Sequence, residues 1–369
     1  MDFTVFSLEN VWIALFLLAV LVQLYVYLRY FLPFYLYQEV GVLKKKQPKM
    51  SIIIAVKNEA ENLKRLLPIL ISQDYPNYEL VIVDDHSTDE TSEILKNIKF
   101  PKIQLHQMYE KSGKKAAIQK GIENATGERF LFLDADCRPR TTYWLRLMSE
   151  KLVDVRSIVL GYAPYYKEKT FLNKVIRYET FVTGMQYLST ALIGKPYMGV
   201  GRNLAYTRKV YEESTAFENH ADVLSGDDDL IVNEMSDRAI VTICTQMEAH
   251  SLSLAVDSWE KLYHQKRRHL QAGKYYKRKD RWKLGIFAMS QLLFWVCFIS
   301  FLISSSLSLT LILIFSGKIL LQLFLYNGIM RKLDERDLLM YAPLLEIVYL
   351  LFMGFIGVST KIKKVDRWK

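Results

Sequence analysis

The sequence is poor in cysteine, because its 369 residues include only Cys137, Cys244 and Cys297. Three widely spaced cysteines exclude a disulfide framework, and none belongs to the CxxC spacing typical of zinc sites. They are typical of scattered thiols in a reducing compartment. The sequence also lacks repeats and low-complexity linkers in its middle, and 51% of its residues are apolar, which excludes a disordered or collagen-like chain.

Acidic residues are fewer than basic ones, with 39 Asp and Glu against 49 Lys and Arg, which gives a net charge of +10. A basic excess can indicate nucleic-acid binding, but no basic face carries the interleaved aromatic residues that such binding uses. Many of the basic residues flank apolar runs instead, where anionic lipid headgroups and the positive-inside rule account for them. We therefore expect a membrane as a partner and no nucleic acid.

Charge is almost absent from the N-terminal part of the chain, where Arg29 is the only charged residue between Val11 and Gln38. The core of this run, residues 11–28, is just long enough to span about 30 Å of hydrocarbon. Lysines at 44, 45, 46 and 49 follow it. The sequence predicts a transmembrane helix within residues 1–43, an N-terminus outside, and a cytoplasmic chain after it.

A second region with little charge lies at the C-terminus, where Lys318 is the only charge between Leu284 and Met330. This run is long enough for two spans that turn near Ser304-Ser305-Ser306, and residues 338–360 form a third candidate with only Glu346 charged. Four simple crossings would place the five basic residues of the tail outside, against the positive-inside rule. Either the last segment is re-entrant or interfacial, or one of the preceding pair does not cross. We expect residues 284–369 to form a multi-pass membrane region.

Residues 44–283 are expected to form one cytoplasmic α/β domain, because strand-like and helical patterns alternate in its first half. In such a parallel sheet the ligand crevice lies at the carboxyl ends of the strands. Ser87 and Glu90 have capping-box spacing ahead of the second helix. The predicted strands are Ser51–Val56, Leu80–Val83, Ile103–Gln107 and Phe130–Leu133, and the predicted helices are Asn58–Ser72, 87–97 and Lys114–Asn124.

Two carboxylates, Asp134 and Asp136, directly follow the apolar run that forms the fourth predicted strand. Side chains two residues apart at a strand exit can project in the same direction. Mg²⁺ and Mn²⁺ take oxygen ligands and complete their shells with substrate phosphates. The pair therefore predicts a site for one of these cations, with solvated turn carboxylates as the alternative.

Two further sites are expected at the same edge of the sheet. Asp84 and Asp85 close the second strand, where a carboxylate, Asp85 in particular, suits a nucleotide base or ribose hydroxyl; turn capping is the alternative. The sequence Lys111-Ser112-Gly113-Lys114-Lys115 opens the third helix, where backbone N–H groups and ammonium groups can bind phosphate; solvated lysines are the alternative. The GxxxxGK[ST] spacing of a P-loop is absent.

The second half of the domain offers a candidate base and a candidate cationic surface. Gly226-Asp227-Asp228-Asp229 places three carboxylates before an apolar helical stretch, and their mutual repulsion can raise the pKa of the least solvated one. A helix N-cap is the alternative for one of them. Further on, Gln265, Arg268 and His269 share one helix face. This face could meet a diphosphate leaving group, and a basic helix on a membrane surface is the alternative.

The order of these motifs resembles that of the inverting glycosyltransferases of family 2, which include membrane synthases such as cellulose and hyaluronan synthase. The resemblance covers about residues 50–276 and implies the GT-A nucleotide-sugar fold, an α/β fold with a mostly parallel central sheet, beside transmembrane helices. Its ordered signatures are Lys57-Asn58-Glu59, Asp84-Asp85, Asp134-Ala135-Asp136 and Gly226-Asp227-Asp228.

The resemblance also implies roles. Asp228 occupies the position of the catalytic base, and Asp136, with Asp134 close by, the position that holds the divalent metal. Gln265 and Arg268 match the Q-x-x-R part of the Q-x-x-R-W motif of processive synthases, whereas His269 replaces its tryptophan. The donor-binding set is Lys57, Glu59, Asp85, Lys114, Asp134, Gln265 and Arg268. The acceptor-side set is Asn203, from the loop Gly201 to Tyr206, with Asp227 and His269.

The expected activity is inverting transfer of a sugar from a nucleotide-diphosphate sugar, with UDP as the nucleotide, to a lipid-linked or glycan acceptor at the cytoplasmic membrane face. Two alternatives stay open at this point. A processive polysaccharide synthase would use the same chemistry, although His269 in place of tryptophan weighs against it. A non-catalytic membrane scaffold would keep the fold without turnover, although the intact set of carboxylates weighs against that.

Overall fold

The structure is a computed structural model that describes residues 8–39, 47–109, 113–220, 226–304 and 306–362, without the side chains of Leu8, Glu9, Asp227, Lys361 and Ile362. Lys111 and Ser112 of the predicted phosphate site and Ser305 of the predicted turn lie outside these residues.

Nine strands are present in the described residues, and seven of them form one sheet in the order β3-β2-β1-β4-β7-β6-β8. Strands β3, β2, β1 and β4 run parallel, β7 is antiparallel to both of its neighbours, and β6 and β8 are parallel to each other. The strands are β1 (Met50–Val56), β2 (Tyr78–Asp84), β3 (Ile103–Gln107), β4 (Arg129–Phe132), β5 (Cys137–Pro139), β6 (Ser157–Gly161), β7 (Leu204–Thr207), β8 (Ile240–Cys244) and β9 (Ser251–Ser253).

Helices cover both faces of this sheet and form the apolar regions near the two ends of the chain. Helix α1 continues into α2 through a π-helical turn, Tyr27–Phe31, and 3₁₀ turns occur at Met247–Ala249, Gly273–Tyr275 and Arg336–Tyr341. The helices are α1 (Leu8–Val26), α2 (Leu32–Leu36), α3 (Ala60–Ile71), α4 (Thr91–Lys96), α5 (Lys114–Asn124), α6 (Trp144–Glu150), α7 (Phe171–Leu192), α8 (Arg208–Glu213), α9 (Ala216–Asn219), α10 (Asp227–Met235), α11 (Trp259–Ala272), α12 (Arg278–Ile303), α13 (Leu309–Lys332) and α14 (Ala342–Ile362).

The mostly parallel α/β sheet and its four predicted strands are confirmed, with small shifts at the strand ends. The apolar run of β1 is buried on both faces because alternate residues point to opposite sides. Ile52 and Ile54 pack with α3, whereas Ile53 packs with α5. Covering both faces with helices is the arrangement that such continuous apolar strands require.

The predicted capping box at Ser87 and Glu90 is wrong. Helix α4 begins at Thr91, and the Glu90 side chain makes no capping hydrogen bond. The Ser87 hydroxyl instead accepts a hydrogen bond from the backbone N–H of Asn58, 2.9 Å away, and the N–H of Thr88 donates to Asn58 Oδ1. These bonds join the loops that follow β1 and β2, so the polar residues position the edge of the sheet.

Four stretches of the described residues are long and apolar enough to cross a membrane: Asn10–Leu36, Arg278–Ile303, Leu309–Lys332 and Arg336–Thr360. The predicted pair near residues 284–330 is present as α12 and α13. Phe16, Phe294 and Phe301 pack α1 against α12. Helix α12 begins at Arg278, so one continuous helix joins the α/β domain to the apolar C-terminal region. The domain boundary at 283/284 stays a prediction.

Glu79 joins three segments at the start of the sheet. Its carboxylate accepts hydrogen bonds from the Ser51 hydroxyl and from the N–H and hydroxyl of Thr126, each 2.6 Å long, and Lys49 lies 3.0 Å away. Burial alone would raise the pKa of Glu79, but these bonds outweigh burial and lower the pKa to about 2.

We therefore expect Glu79→Gln to destabilise the domain by about 3 kcal/mol at pH 7, from the difference between a pKa of about 2 and the usual 4.5. The lowered pKa stabilises the folded state above pH 4.5, and this contribution is lost as the pH falls from about 4.5 towards 2. Thermal unfolding of the detergent-solubilised protein at several pH values measures it. Glu61→Gln, at an exposed carboxylate of α3, is the control and should leave the midpoint almost unchanged. An equal difference between wild type and Glu79→Gln at pH 7 and pH 3 would contradict the assignment.

Candidate active site

One cavity of about 650 Å³ lies at the carboxyl edge of β1 and β4, between the sheet and helices α7, α10 and α11. Its size is typical of a site for a small organic ligand. The described residues that the sequence predicted for a donor, metal or base and that line this cavity are Lys57, Glu59, Lys114, Asp134, Asp136, Asp228, Gln265, Arg268 and His269. Motifs more than 200 residues apart are therefore brought together in one space.

The edge of β4 contributes the two carboxylates predicted for a metal. Asp134 and Asp136 line the cavity, with Asp136 exposed to it, and Lys114 Nζ pairs with Asp134 Oδ1 at 2.5 Å. Lys114 is the first residue of α5, so its ammonium group and the helix N-terminus present positive charge beside the carboxylates. Among the described residues no group of three His, Cys, Asp or Glu side chains could hold a metal by itself. A cation here would need further oxygen ligands from a substrate or water.

Asp85 is placed differently from the prediction. Its side chain is fully buried and does not line the cavity. Oδ2 accepts a hydrogen bond from the N–H of Gly113 at 2.9 Å and lies 3.6 Å from Lys57 Nζ, while Oδ1 lies 3.0 Å from His86 Nδ1. The carboxylate therefore ties the start of α5 and the lysine of the first motif to the end of β2.

Asp228 lies in the first turn of α10, two residues after Gly226, which caps the helix. Gly226 precedes the helix with φ of +91°, and a Cβ there would stand 2.4 Å from the Cβ of Ala272, so the turn and the close approach to α11 both require glycine. Asp228 Oδ2 accepts a hydrogen bond from the N–H of Gly201, and its Oδ1 accepts from the N–H of Asp229. These bonds fix the Asp228 carboxylate in the cavity wall. Asp227 has no described side chain, so its acceptor-side role stays a prediction.

The neighbouring Asp229 also lines the cavity. It accepts a hydrogen bond of 2.7 Å from the hydroxyl of Tyr276, which joins α10 to the segment after α11. Burial first, and then the nearby carboxylates, raise the pKa of Tyr276 well above its usual value. Tyr276 therefore stays a hydrogen-bond donor throughout the neutral pH range.

The predicted common face of Gln265, Arg268 and His269 is confirmed, since all three line the cavity from α11. Gln265 Oε1 is buried and has no hydrogen-bond partner among the described residues, so it is available to a ligand. The His269 side chain is exposed to the cavity, and its enclosure there, followed by the charges of Lys266 and Arg268, holds the pKa of its imidazole well below the usual range. Its imidazole is therefore neutral near pH 7.

The prediction for Asn203 is wrong. Its side chain is fully buried beneath the cavity, where Nδ2 donates to the carbonyls of Tyr162 and Ala249 and Oδ1 accepts from the Trp144 indole. Every polar group of the amide is used inside the protein. Of the loop from Gly201 to Tyr206, the first two residues line the cavity, whereas the residues from Leu204 onward form the central strand β7.

Sequence reasoning missed the contribution of α7. Glu179 and Thr183 line the cavity, and Glu179 pairs with Lys266 of α11, both side chains being largely buried. The signal available in the sequence was a set of polar residues at helical spacing within an otherwise apolar helix. Arg202, in the loop from Gly201 to Tyr206, was missed as well. Its guanidinium stacks 4.5 Å from the Tyr165 ring and faces the same cavity.

Part of this domain is similar to a known protein family. Residues 51–215, which contain β1 to β4 and both acidic motifs at their ends, match the family model described as "Glycosyl transferase family 2". Over this domain the chain is therefore similar to glycosyl transferase family 2, in agreement with the resemblance of its motifs.

Known glycosyltransferases are similar to part of the chain. The chain is 32% identical over 185 residues to "Glycosyltransferase AglE" of Haloferax volcanii, which is 49% of this chain and 59% of that protein. It is 30% identical over 126 residues to "UDP-Glc:alpha-D-GlcNAc-diphosphoundecaprenol beta-1,3-glucosyltransferase WfaP" of Escherichia coli, which is 33% of this chain and 48% of that protein. The chain thus matches about half the length of these relatives.

A solved structure shares the fold over nearly the whole chain. The "Mannosyltransferase PcManGT from Pyrobaculum calidifontis in complex with GDP-Man and Mn2+" is 18% identical and has a TM-score of 0.57, covering 92% of this chain and 98% of that one. At this identity the likeness establishes the fold, which is the GT-A fold with apolar helices beside it.

Gly201 lies against the Asp228 carboxylate, and a Cβ at Gly201 would stand 3.1 Å from Asp228 Oδ2. We expect Gly201→Ala to shift the carboxylate by a few tenths of an ångström and to lower glycosyl transfer by about tenfold or more, because small displacements of groups in the wall of an active site are costly. Steady-state kinetics measures the loss. Gly285→Ala in α12, where a Cβ meets nothing within 4 Å, is the matched control and should keep normal turnover. Normal turnover in both variants would contradict the prediction.

Proposed function

We propose that the chain is a membrane-embedded inverting glycosyltransferase that moves a sugar from a nucleotide-diphosphate sugar to a lipid-linked acceptor. The observation that carries this proposal is the single cavity that holds Asp134, Asp136, Lys114, Arg268 and Asp228 together. These residues supply the groups that such a transfer needs: oxygen ligands for a metal ion, positively charged side chains for the leaving diphosphate, and a carboxylate that takes the proton of the acceptor hydroxyl.

The leaving diphosphate would lie between the ends of β4, α5 and α11. Lys114 at the start of α5 and Arg268 on α11 both face the cavity and can stabilise the negative charge that develops on the departing nucleoside diphosphate. Such preorganised charge is commonly the largest contribution to catalysis. The unpartnered Gln265 Oε1 can accept a hydrogen bond from the donor in the same region.

Two hard oxygen donors, Asp134 and Asp136, suit a divalent cation such as Mg²⁺ or Mn²⁺. With only two protein carboxylates in place, the set fits a cation that shares its coordination with substrate phosphates, as Mg²⁺ commonly does. We propose Asp136 as the principal ligand, since it is exposed to the cavity, with Asp134 beside it. When bound, the cation neutralises charge on the diphosphate.

Asp228 is proposed as the general base. Its carboxylate takes the proton from an acceptor hydroxyl while that oxygen forms a bond to the anomeric carbon and the bond to the nucleoside diphosphate breaks. Attack from the face opposite the leaving group inverts the anomeric configuration. The backbone N–H groups of Gly201 and Asp229 hold the carboxylate in position, and a positioned base of this kind contributes about 10²- to 10⁴-fold to the rate.

The acceptor and the nucleotide are proposed from the membrane region and from the relatives. The cavity is lined by Arg281 and Leu284 of the apolar helix α12, so it reaches the membrane region. The WfaP relative is named for a UDP-glucose donor and a diphosphoundecaprenol acceptor. We propose a UDP-sugar donor, a lipid-linked acceptor of the cell envelope, and a catalytic domain at the cytoplasmic face of the cell membrane.

Replacing the proposed base separates catalysis from binding. We expect Asp228→Asn to lower transfer at least 100-fold while the affinity for the nucleotide sugar changes less than about threefold, because the amide keeps the shape of the carboxylate but cannot take a proton. Product formation and calorimetric binding measure the two quantities. Asp237→Asn, at an exposed carboxylate just beyond the same helix, should behave as wild type. Near-normal transfer by Asp228→Asn, with donor and metal supplied, would show that another group is the base.

Removing the cation tests the metal site. We expect a chelator to abolish release of nucleoside diphosphate and added Mg²⁺ or Mn²⁺ to restore it, since the diphosphate charge would otherwise be unneutralised. Asp136→Asn should raise the metal concentration required for half-maximal rate by more than about tenfold, whereas Asp237→Asn should not. Full activity of the chelated wild-type protein would refute the metal assignment and leave that of Asp228 standing.

A further inference from the structure

The last helix, α14, is apolar and long enough to cross a membrane, yet it stays against the catalytic domain along most of its length. Tyr341, just before the helix, stacks with Lys174 of α7, and Tyr349 contacts the Tyr178 ring of the same helix. Residues 341 and 355 are about 21 Å apart along a helix axis. If α14 crossed the bilayer, it would lead away from the catalytic domain and could not keep its contacts with that domain along its whole length.

The second half of α14 contacts α11, the helix that carries the cationic face of the cavity. Phe352 packs against Trp259 and Phe355 against Tyr263, each with ring centroids 5.8 Å apart. Met353, between them, lines the cavity itself. The far part of α14 is therefore next to the active site rather than one membrane thickness away from it.

The two sides of α14 have different surroundings. Ala342, Leu345 and Ile356 are buried against the protein, whereas Leu344, Leu351 and Val358, spaced seven residues apart, are more than half exposed and entirely apolar. Interfacial helices ordinarily expose a polar face to water. Here the protein covers that face, so an apolar sequence can lie at the interface with its free side towards acyl chains.

The first turns of α14 are anchored to the membrane-spanning helices. The fully buried Glu346 accepts hydrogen bonds from Gln291 of α12, at 2.7 Å, and from Gln322 of α13, at 3.0 Å. The start of α14 is thus held by the spans and its later part by α11. These two attachments fix the helix beneath the catalytic domain.

The ends of the other spans indicate the side on which α14 begins. Glu39, just after α2, accepts from the N–H of Thr245 in the catalytic domain. Asp280 at the start of α12 contacts Asn233 at 3.3 Å. In the turn after α13, Glu335 pairs with Arg177 of α7. Three apolar stretches therefore have one end at the catalytic domain: the end of α1–α2, the start of α12 and the end of α13. If each stretch spans the bilayer once, the chain crosses it three times before α14 begins on the side of the catalytic domain.

We propose that α14 does not cross the bilayer but lies in the boundary between headgroups and acyl chains, with its apolar side, Leu344, Leu351 and Val358, against lipid and its other side forming a wall of the active site. The chain then crosses the membrane three times, and its tail is on the same side as the catalytic domain. The basic residues of the tail would face the anionic cytoplasmic leaflet, in agreement with the positive-inside rule. The basic residues are Lys361, Lys363, Lys364, Arg367 and Lys369.

Accessibility to a membrane-impermeant maleimide tests the side of the tail. Lys369→Cys is compared with Asp237→Cys in the catalytic domain and Ser306→Cys in the link between α12 and α13, in inside-out and right-side-out vesicles. The native cysteines are buried, so the parent protein gives the background. We expect Lys369→Cys to label in the same vesicles as Asp237→Cys and in the opposite vesicles to Ser306→Cys. Labelling of Lys369→Cys together with Ser306→Cys, or in neither preparation, would overturn the proposal.

The depth of the helix gives a second and independent measurement. Leu351→Cys, near the middle of α14, and Leu320→Cys, near the middle of α13, are each labelled with a fluorophore and reconstituted with lipids brominated near the headgroup or deep in the acyl chain. We expect lipids brominated near the headgroup to quench the fluorophore at position 351, and lipids brominated deep in the acyl chain to quench the fluorophore at position 320. Deep quenching at both positions would refute an interfacial α14. Neither measurement depends on transfer activity, so the outcome stands apart from the proposed function.

Discussion

The structure depends on the fact that neighbouring parallel strands end at the same edge of a sheet. β1 and β4 are adjacent in the order of strands, so the motif after Val56 and the carboxylates after Leu133 emerge side by side. The helices α10 and α11 then cover this edge from the other side. Without that geometry Asp134, Asp136 and Asp228 would be surface carboxylates on unrelated loops.

Gathering carboxylates in one cavity costs free energy unless positive groups accompany them. The structure supplies these groups from different helices, with Lys114 beside Asp134 and Lys266 beside Glu179. Backbone N–H groups serve the same purpose for Asp228. The cavity therefore contains positive and negative groups at close range. This arrangement suits a negatively charged ligand, such as the proposed donor, whose diphosphate gains negative charge as it departs.

The membrane region extends this site rather than only anchoring it. Helix α7 lies between the sheet and the spans, contributes Glu179 to the cavity, and packs through Phe181 against Tyr326 of α13. With α14 beneath the domain, a lipid-linked acceptor could keep its chain in the leaflet while its sugar reaches Asp228. This consequence rests on the proposed function.

Local patterns predicted much of the fold and part of the site. Alternating apolar runs predicted the four parallel strands, and the position of Asp134 and Asp136 after an apolar run placed them at the cavity, because these features depend on neighbours in the chain. The prediction of a capping box at Ser87 failed because the Ser87 hydroxyl accepts a hydrogen bond from the backbone N–H of Asn58, in another loop, instead of from helix α4. The prediction for Asn203 failed because the sequence does not show whether an asparagine amide bonds to a ligand or, as here, to three partners inside the protein.

By itself the sequence determined which segments are apolar enough for lipid and which acidic residues follow strands. The tertiary structure alone decided which of those acids share a cavity and how α14 packs on the domain, because such contacts join residues that are distant in the chain.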